Sequence, residues 1–284
     1  MLSNLKDILA HARENHYAVP AFDCIEDVMV RGVIETCERL RSPAIIMGLG
    51  SPDLEGKGWE YLASLVLGVA PHYDIPVALH LDHATKMDEV KRAIDVGFTS
   101  IMYDGSAHPF EKNVELTRQA VEIARPHGIP VEAELGAVGG ANVEETTYSE
   151  TTLTQPHEVE RFLAETEVDA LAISIGTSHG VYRSLPNLDI ELLKKLNAVS
   201  NVPLVLHGGS GTPSDQIAAA ALEGITKLNI YADNRIAMFK GLRAAAADDT
   251  RPDPLPRDMF APIRQGVADT VEHNIRLLYA NDRY

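Results

Sequence analysis

Thiols are scarce. Cys24 and Cys37 are the only cysteines in 284 residues, too few for a disulfide framework and in keeping with a reducing compartment. Long apolar runs are missing too, with no stretch near the roughly 18 residues that mark a membrane span. The first segment, MLSNLKDILAHARENHYAV, is interrupted by Lys6, Asp7, Arg13 and Glu14, where a secretory signal needs continuous apolar residues. A cytoplasmic protein with no membrane partner is expected. Positive charge is short as well: 25 basic against 41 acidic side chains leave a formal net charge of −16, which excludes a general electrostatic grip on nucleic acid. No G-x-G-x-x-G follows the first apolar run, so the fingerprint of an open dinucleotide-binding sheet is absent.

What is present is ordinary globular material, 45% apolar and 23% charged, enough for a substantial core. Short β-rich apolar runs alternate with longer segments of helical period, the pattern of βαβ units around a parallel sheet. Eight strands are predicted: Ala18 to Phe22, Ala44 to Met47, Val77 to Leu81, Ser100 to Tyr103, Val131 to Leu135, Ala170 to Ile175, Pro203 to Leu206 and Lys227 to Ile230. The clearest helices are Asp27 to Arg41, Met87 to Val96, Phe110 to Ala124, Leu188 to Ser200 and Asn234 to Ala247. Eight such units predict one α/β domain over residues 1–284, a closed (β/α)8 TIM barrel with additional helices at Leu5 to Glu14 and about Met259 to Tyr279. The stretch Gly136 to Gln155 is long for a connection and reads as a loop over the site.

Barrel chemistry sits where strands end, so the residues there carry the functional reading. Strand three ends in Asp82-His83, strand four in Asp104, strand five in Glu132 and Glu134, strand six leads to His179, strand seven ends in His207, and strand eight near Asn229. Three neutral imidazoles with one open position are a standard catalytic zinc arrangement, and His83, His179 and His207 supply them. The loop His207-Gly208-Gly209-Ser210-Gly211 runs toward a helix near Pro213, where backbone N–H groups and a helix dipole suit an anion. Asp82 stands next to His83 as a general acid or base, or else as the acceptor that orients a ligating imidazole. A Schiff-base lysine is the alternative to a metal for stabilising a carbanion. No lysine ends a strand; Lys227 begins strand eight and is expected at the opposite, structural face.

At LHLDH (79–83), GFTSIMYDGS (97–106), VEAELGAVGG (131–140), IGTSHGVY (175–182) and LVLHGGSG (204–211), the sequence resembles the zinc-dependent class II aldolases, which include the fructose-bisphosphate and tagatose-bisphosphate aldolases. The resemblance covers nearly the whole chain, with its motifs in family order. It implies zinc on His83, His179 and His207, with Asp104 and Glu134 at an alternative or second divalent position. It also implies Asp82 as the catalytic proton donor, and a small phosphorylated sugar as partner. Gly180, the Gly208-Gly209-Ser210 loop and the Asn229-Ile230-Tyr231-Ala232 segment would bind dihydroxyacetone phosphate beside a monovalent cation. A homodimer or homotetramer is implied as well.

Departures from the family pattern fall on the substrate side. Leu49 stands where the family usually has Ser or Thr, with Ser51 two residues on; Ala232 removes a hydroxyl, and Asp23 stands where Asn is usual. The acids of the long loop are displaced to Glu144 and Glu145, candidates for the base that moves the C3 proton. The expected activity is zinc-dependent, reversible cleavage of a ketose 1,6-bisphosphate or ketose 1-phosphate into dihydroxyacetone phosphate and an aldehyde. The alternatives are an aldolase with a changed donor or unphosphorylated aldehyde, a metal-dependent sugar isomerase or epimerase, and a non-catalytic barrel subunit, which the intact histidine triad argues against.

Overall fold

Strands covered on both faces must be apolar throughout, and the strand segments here are buried along nearly their whole length. The computed structural model describes residues 1–50, 54–140, 151–179, 185–247 and 252–284. Its strands are β1 (Val19–Asp23), β2 (Ala44–Leu49), β3 (Val77–Ala84), β4 (Ser100–Tyr103), β5 (Val131–Leu135), β6 (Ala170–Ile173), β7 (Leu204–Leu206) and β8 (Ile225–Ile230). Each pairs in parallel with the next, and β8 returns to β1 through Val19↔Lys227 to Phe22↔Ile230, closing the barrel. Two short strands outside it, Gly139–Gly140 and Ser178–His179, pair in parallel above the ends of β5 and β6.

The helices are α1 (Leu5–Glu14), α2 (Asp27–Arg39), α3 (Gly58–Val69), α4 (Met87–Val96), α5 (Phe110–Ala124), α6 (Pro156–Thr166), α7 (Ile190–Val199), α8 (Ser214–Leu222), α9 (Ala232–Ala247) and α10 (Pro256–Leu277). Local chemistry accounts for several of their ends. Asn4 caps α1 by accepting the Asp7 amide at 2.9 Å. Gly97 closes α4 in the left-handed region at φ 99°. Pro256 opens α10, three residues before the sequence placed it, because a first-turn N–H has no helical partner to lose.

Strand boundaries shift for identifiable reasons. β6 stops at Ile173 because Ser174 turns away, giving its amide to Thr154 Oγ1 at 2.8 Å and its carbonyl to the Thr154 amide at 3.0 Å. β3 instead runs three residues beyond Leu81. Its register against β4 shifts between Leu81 and Ala84, and His83 takes φ 48°. A bulge with a left-handed, non-glycine residue is costly and re-aims its side chains; here it turns Asp82 and His83 toward the mouth. Lys227 departs from expectation most clearly. β8 begins at Ile225, so Lys227 is its third residue, fully buried inside the barrel rather than at its far face.

The end of β5 is pinned from α5. Asn113 Nδ2 donates to the Glu134 carbonyl at 2.8 Å, and Thr117 Oγ1 donates to Asn113 Oδ1 at 3.1 Å, all in buried surroundings. Replacing Asn113 by Leu leaves that carbonyl and hydroxyl unpaired, with an expected cost of about 1–3 kcal/mol. Urea denaturation of N113L against wild type measures it, and an unchanged midpoint contradicts this role.

Candidate active site

The mouth is assembled by alternation along the strands. Residues two apart face the same side, so Asp82, Glu134 and Asn229 arrive from β3, β5 and β8, and His207 follows β7 directly. His83 and His207 meet edge to face, with ring centroids 4.6 Å apart. Nε2 of His83 lies 2.8 Å from Nδ1 of His207. The remaining nitrogen of each ring faces a carboxylate: His83 Nδ1 to Asp104 Oδ2 at 2.8 Å, and His207 Nε2 to Glu132 Oε1 at 2.9 Å.

This arrangement tests whether a metal fits. If each imidazole is neutral and donates its one proton to its carboxylate, the two nitrogens that face each other both carry lone pairs. Two acceptors at that separation require a cation or a shared proton between them. Asp82, His83 and His207 bring ligand atoms within 4.8 Å of one another, as do His83, Asp104 and Glu134. An imidazole pair oriented by carboxylates suits a transition metal ion such as zinc, so the residues fit the group.

Asp82 is 3% exposed; Oδ1 accepts from Asn229 Nδ2 at 2.9 Å, and Oδ2 is 3.8 Å from His83 Nε2. Orientation of the imidazole therefore falls to Asp104, which leaves Asp82 available for proton transfer. Asp104 Oδ1 also accepts the Ser106 amide at 3.0 Å. The buried polar atoms with no hydrogen-bond partner among the described residues include Asp23 Oδ1, Glu134 Oε2 and Asn229 Oδ1. Buried polar groups are rarely left unmatched unless something else binds them.

The Gly208-Gly209-Ser210 turn is bonded to the end of β8 and the start of α9. Ser210 Oγ accepts the amides of Tyr231 and Asp233 at 3.2 Å each, at the start of α9, while the Gly209 amide donates to the Asn229 carbonyl at 3.1 Å. Gly208 has φ 67°, and a Cβ there would stand 2.5 Å from the Ser178 carbonyl. Ile230 ends β8, and Ala232 is the first residue of α9, half-buried. Leu49 ends β2 in register with Asp82, so its apolar side chain belongs to the strand end beside the mouth.

The backbone of His179 belongs to the short strand beside Gly140; its side chain, with Gly180, Glu144, Glu145 and Ser51, lies outside the described residues. Sequence reasoning missed His80, Ser100 and the interior position of Lys227. The signal was available: His80-x-Asp82, Glu132-x-Glu134 and Lys227-x-Asn229 each repeat a polar residue at spacing two within an apolar strand.

Charges at the mouth are displaced from their ordinary behaviour. Burial opposes charge on His83, but Asp82, the hydrogen-bonded Asp104 and Glu134 outweigh it and push the imidazole up to about 10. Burial also opposes ionisation of Asp104, yet the hydrogen bond and charge of His83 hold its carboxyl well below the usual range. Glu134 is pushed up to about 8 by burial and then by Asp104. Burial, with Asp82 nearby, raises Asp23 well above the ordinary carboxylate value.

The consequence for metal-free protein has one sign. Stabilisation from charged His83 is complete below its unfolded value of 6.5 and is lost as pH rises through about 10. Glu134 holds its proton in the fold to about 8 but releases it near 4.5 when unfolded, which also favours unfolding as pH rises. The melting temperature of chelated protein should therefore be lower at about pH 9 than at about pH 6.5. A flat or rising profile contradicts the assignment.

Comparison with known proteins agrees with this geometry. The family profile described as "Fructose-bisphosphate aldolase class-II" matches residues 3–283. A fructose-bisphosphate aldolase from Geobacillus stearothermophilus is 37% identical over 279 residues, covering 97% of this chain and 96% of its own. One from Giardia intestinalis is 34% identical over 302 residues, covering 97% and 92%. Among solved structures, the YdjI aldolase from Escherichia coli K12 superposes with a TM-score of 0.88 at 31% identity, covering 100% of this chain and 99% of that one. Geometry, motifs and relatives converge: the chain belongs to the class II fructose-bisphosphate aldolase family of lyases.

Proposed function

We propose that the chain, acting as one barrel domain over residues 1–284, is a zinc-dependent aldolase. It reversibly cleaves a ketose 1,6-bisphosphate or ketose 1-phosphate into dihydroxyacetone phosphate and an aldehyde. The observation that carries this reading is the 2.8 Å approach of His83 Nε2 to His207 Nδ1, each ring held by its own carboxylate, with Asp82 beside them. His83, His207 and His179 would hold the zinc, which when bound supplies Lewis-acid stabilisation of an enediolate. Asp104 and Glu134, grouped with His83, support a second divalent position.

The chain's own residues supply the rest. In cleavage, Asp82 takes the proton of the C4 hydroxyl, the C4 oxygen forms the aldehyde carbonyl, and the electrons of the C3–C4 bond pass to C3. Asn229, bound to Asp82 Oδ1, fixes the carboxylate for that transfer. Return of a proton to C3 is assigned to Glu144 or Glu145. The Gly208-Gly209-Ser210 turn, Gly180 and Asn229 to Ala232 are the proposed phosphate contacts, with Asp23 beside them and a monovalent cation accompanying the phosphate.

Two observations favour a second reading with a changed donor. Ser210 Oγ already accepts the amides of Tyr231 and Asp233, and Leu49 and Ala232 offer no hydroxyl. Self-association as a dimer or tetramer is supported by exposed Ile236, Phe239 and Leu242 on α9 and Met259 and Phe260 on α10, an apolar grouping on two packed helices. Two buried, free cysteines suit the cytoplasm, and no helix among the described residues is long and apolar enough to cross a membrane.

A coupled assay for dihydroxyacetone phosphate tests the reading, using zinc-loaded and chelated protein with fructose 1,6-bisphosphate, tagatose 1,6-bisphosphate and fructose 1-phosphate. Zinc-dependent release from one of them is expected. Silence with all three from zinc-loaded protein moves the assignment to the changed donor, and isomerised sugar without free aldehyde moves it to an isomerase. Asp82→Asn should lower kcat by about 100- to 10,000-fold while zinc binding persists; near-normal turnover removes Asp82 from the reaction.

A further inference from the structure

Below the mouth the barrel encloses a second polar layer that no step of the reaction touches. His80, Glu132 and Lys227 are each 0% exposed. Glu132 stands at its centre: Oε1 accepts from His207 Nε2 at 2.9 Å, and Oε2 accepts from Lys227 Nζ at 2.8 Å. His80 Nε2 lies 3.5 Å from the same Oε2, while its Nδ1 is tied to Ser100 Oγ at 2.9 Å. Burial and then the charge of Lys227 push the His80 imidazole well below its usual value, so His80 is the neutral member of the layer.

A carboxylate and an ammonium are costly to bury, and their pairing offsets the cost only when geometry and further hydrogen bonds are good. Keeping them here calls for a reason. A carboxylate facing His207 accepts the hydrogen bond of Nε2–H, which leaves the lone pair on Nδ1, the nitrogen that faces His83. A carboxyl group turned away gives His207 no preferred tautomer. The position also bears on chemistry of another kind, because a lysine inside an aldolase barrel invites a Schiff-base role. Lys227 Nζ is engaged by Glu132, wholly buried, and two residues below the mouth residue Asn229. That is the setting of a counter-ion, not of a nucleophile that must reach a carbonyl.

We propose that Lys227 is a positioning residue for the metal centre: paired with Glu132 inside the barrel, it fixes the carboxylate that makes His207 present Nδ1 toward His83. The proposal rests on the metal-dependent reading above, so its test reads zinc binding rather than turnover. Full-length wild type, K227M, E132Q and the double variant are stripped with chelator. Zinc affinity is then measured by competition with a chromogenic chelator, and folding by circular dichroism and melting temperature.

K227M and E132Q are each expected to weaken zinc about 10- to 100-fold, and the double variant no further than the weaker single, because both act through one carboxylate. A merely structural role lowers the melting temperature and leaves zinc affinity alone, and a folded K227M with wild-type affinity overturns the proposal. So do additive losses in the double variant. If K227M does not fold, the double variant, which buries neither charge, carries the test together with E132Q, and wild-type affinity in either is decisive against it. Failure of wild type itself to bind zinc defeats the functional reading and this one with it.

Discussion

The parallel pairing of β8 with β1 is the constraint on which the site depends. Until that seam closes, β1 to β8 form a ribbon whose two edges carry unpaired backbone groups. Closing it brings residues from distant parts of the chain into one interior. Asn229 reaches Asp82 across 147 residues of sequence, and Lys227 reaches Glu132 across 95. Neither pair has meaning in an open sheet. The ordering cost of such long-range contacts is met by the apolar strands themselves, which is why the polar residues can be spared for chemistry.

Within the closed barrel the interior is stratified. Ordinary barrels fill their axis with branched apolar side chains, but here polar residues occupy two successive levels. The upper one holds Asp82, Glu134 and Asn229 and faces the mouth; the lower holds His80, Glu132 and Lys227, without solvent. His207 spans them, with one ring nitrogen toward each level. The electrostatics follow from that division. Acidic neighbours above raise His83 against the opposing effect of burial, burial and then Asp104 raise Glu134, and burial and then the ammonium below depress His80.

Much of this was legible in the sequence, for different reasons at different places. The barrel could be read because apolar runs and helical periods alternate eight times; in the structure Gly97 and Pro109 bound α4 and α5. Asp82, His83 and His207 could be read because strand ends in a barrel converge. The bulge at His83 could not, since a left-handed histidine leaves no mark in composition. The level of Lys227 is not legible, because Ile225 and Thr226 extend β8 below the Lys227 to Ile230 run that the sequence marks as a strand. The orienting partners Asp104 and Glu132 depend on rotamers and register that only three-dimensional pairing defines.

The short ladder between Gly139–Gly140 and Ser178–His179 ties together parts that are usually considered separately. Ser178 is held on one side by Gly139 and packed on another against Gly208, which has no room for a side chain. Ala137 and Thr152 exchange hydrogen bonds at the root of the same connection. The described parts of the connections after β5, β6 and β7 therefore lie against one another. A displacement that enters through any of these described segments is passed to the backbone of His179 through direct contacts. Under the proposed function, tolerance for new substrates and retention of the metal would be the same elastic property.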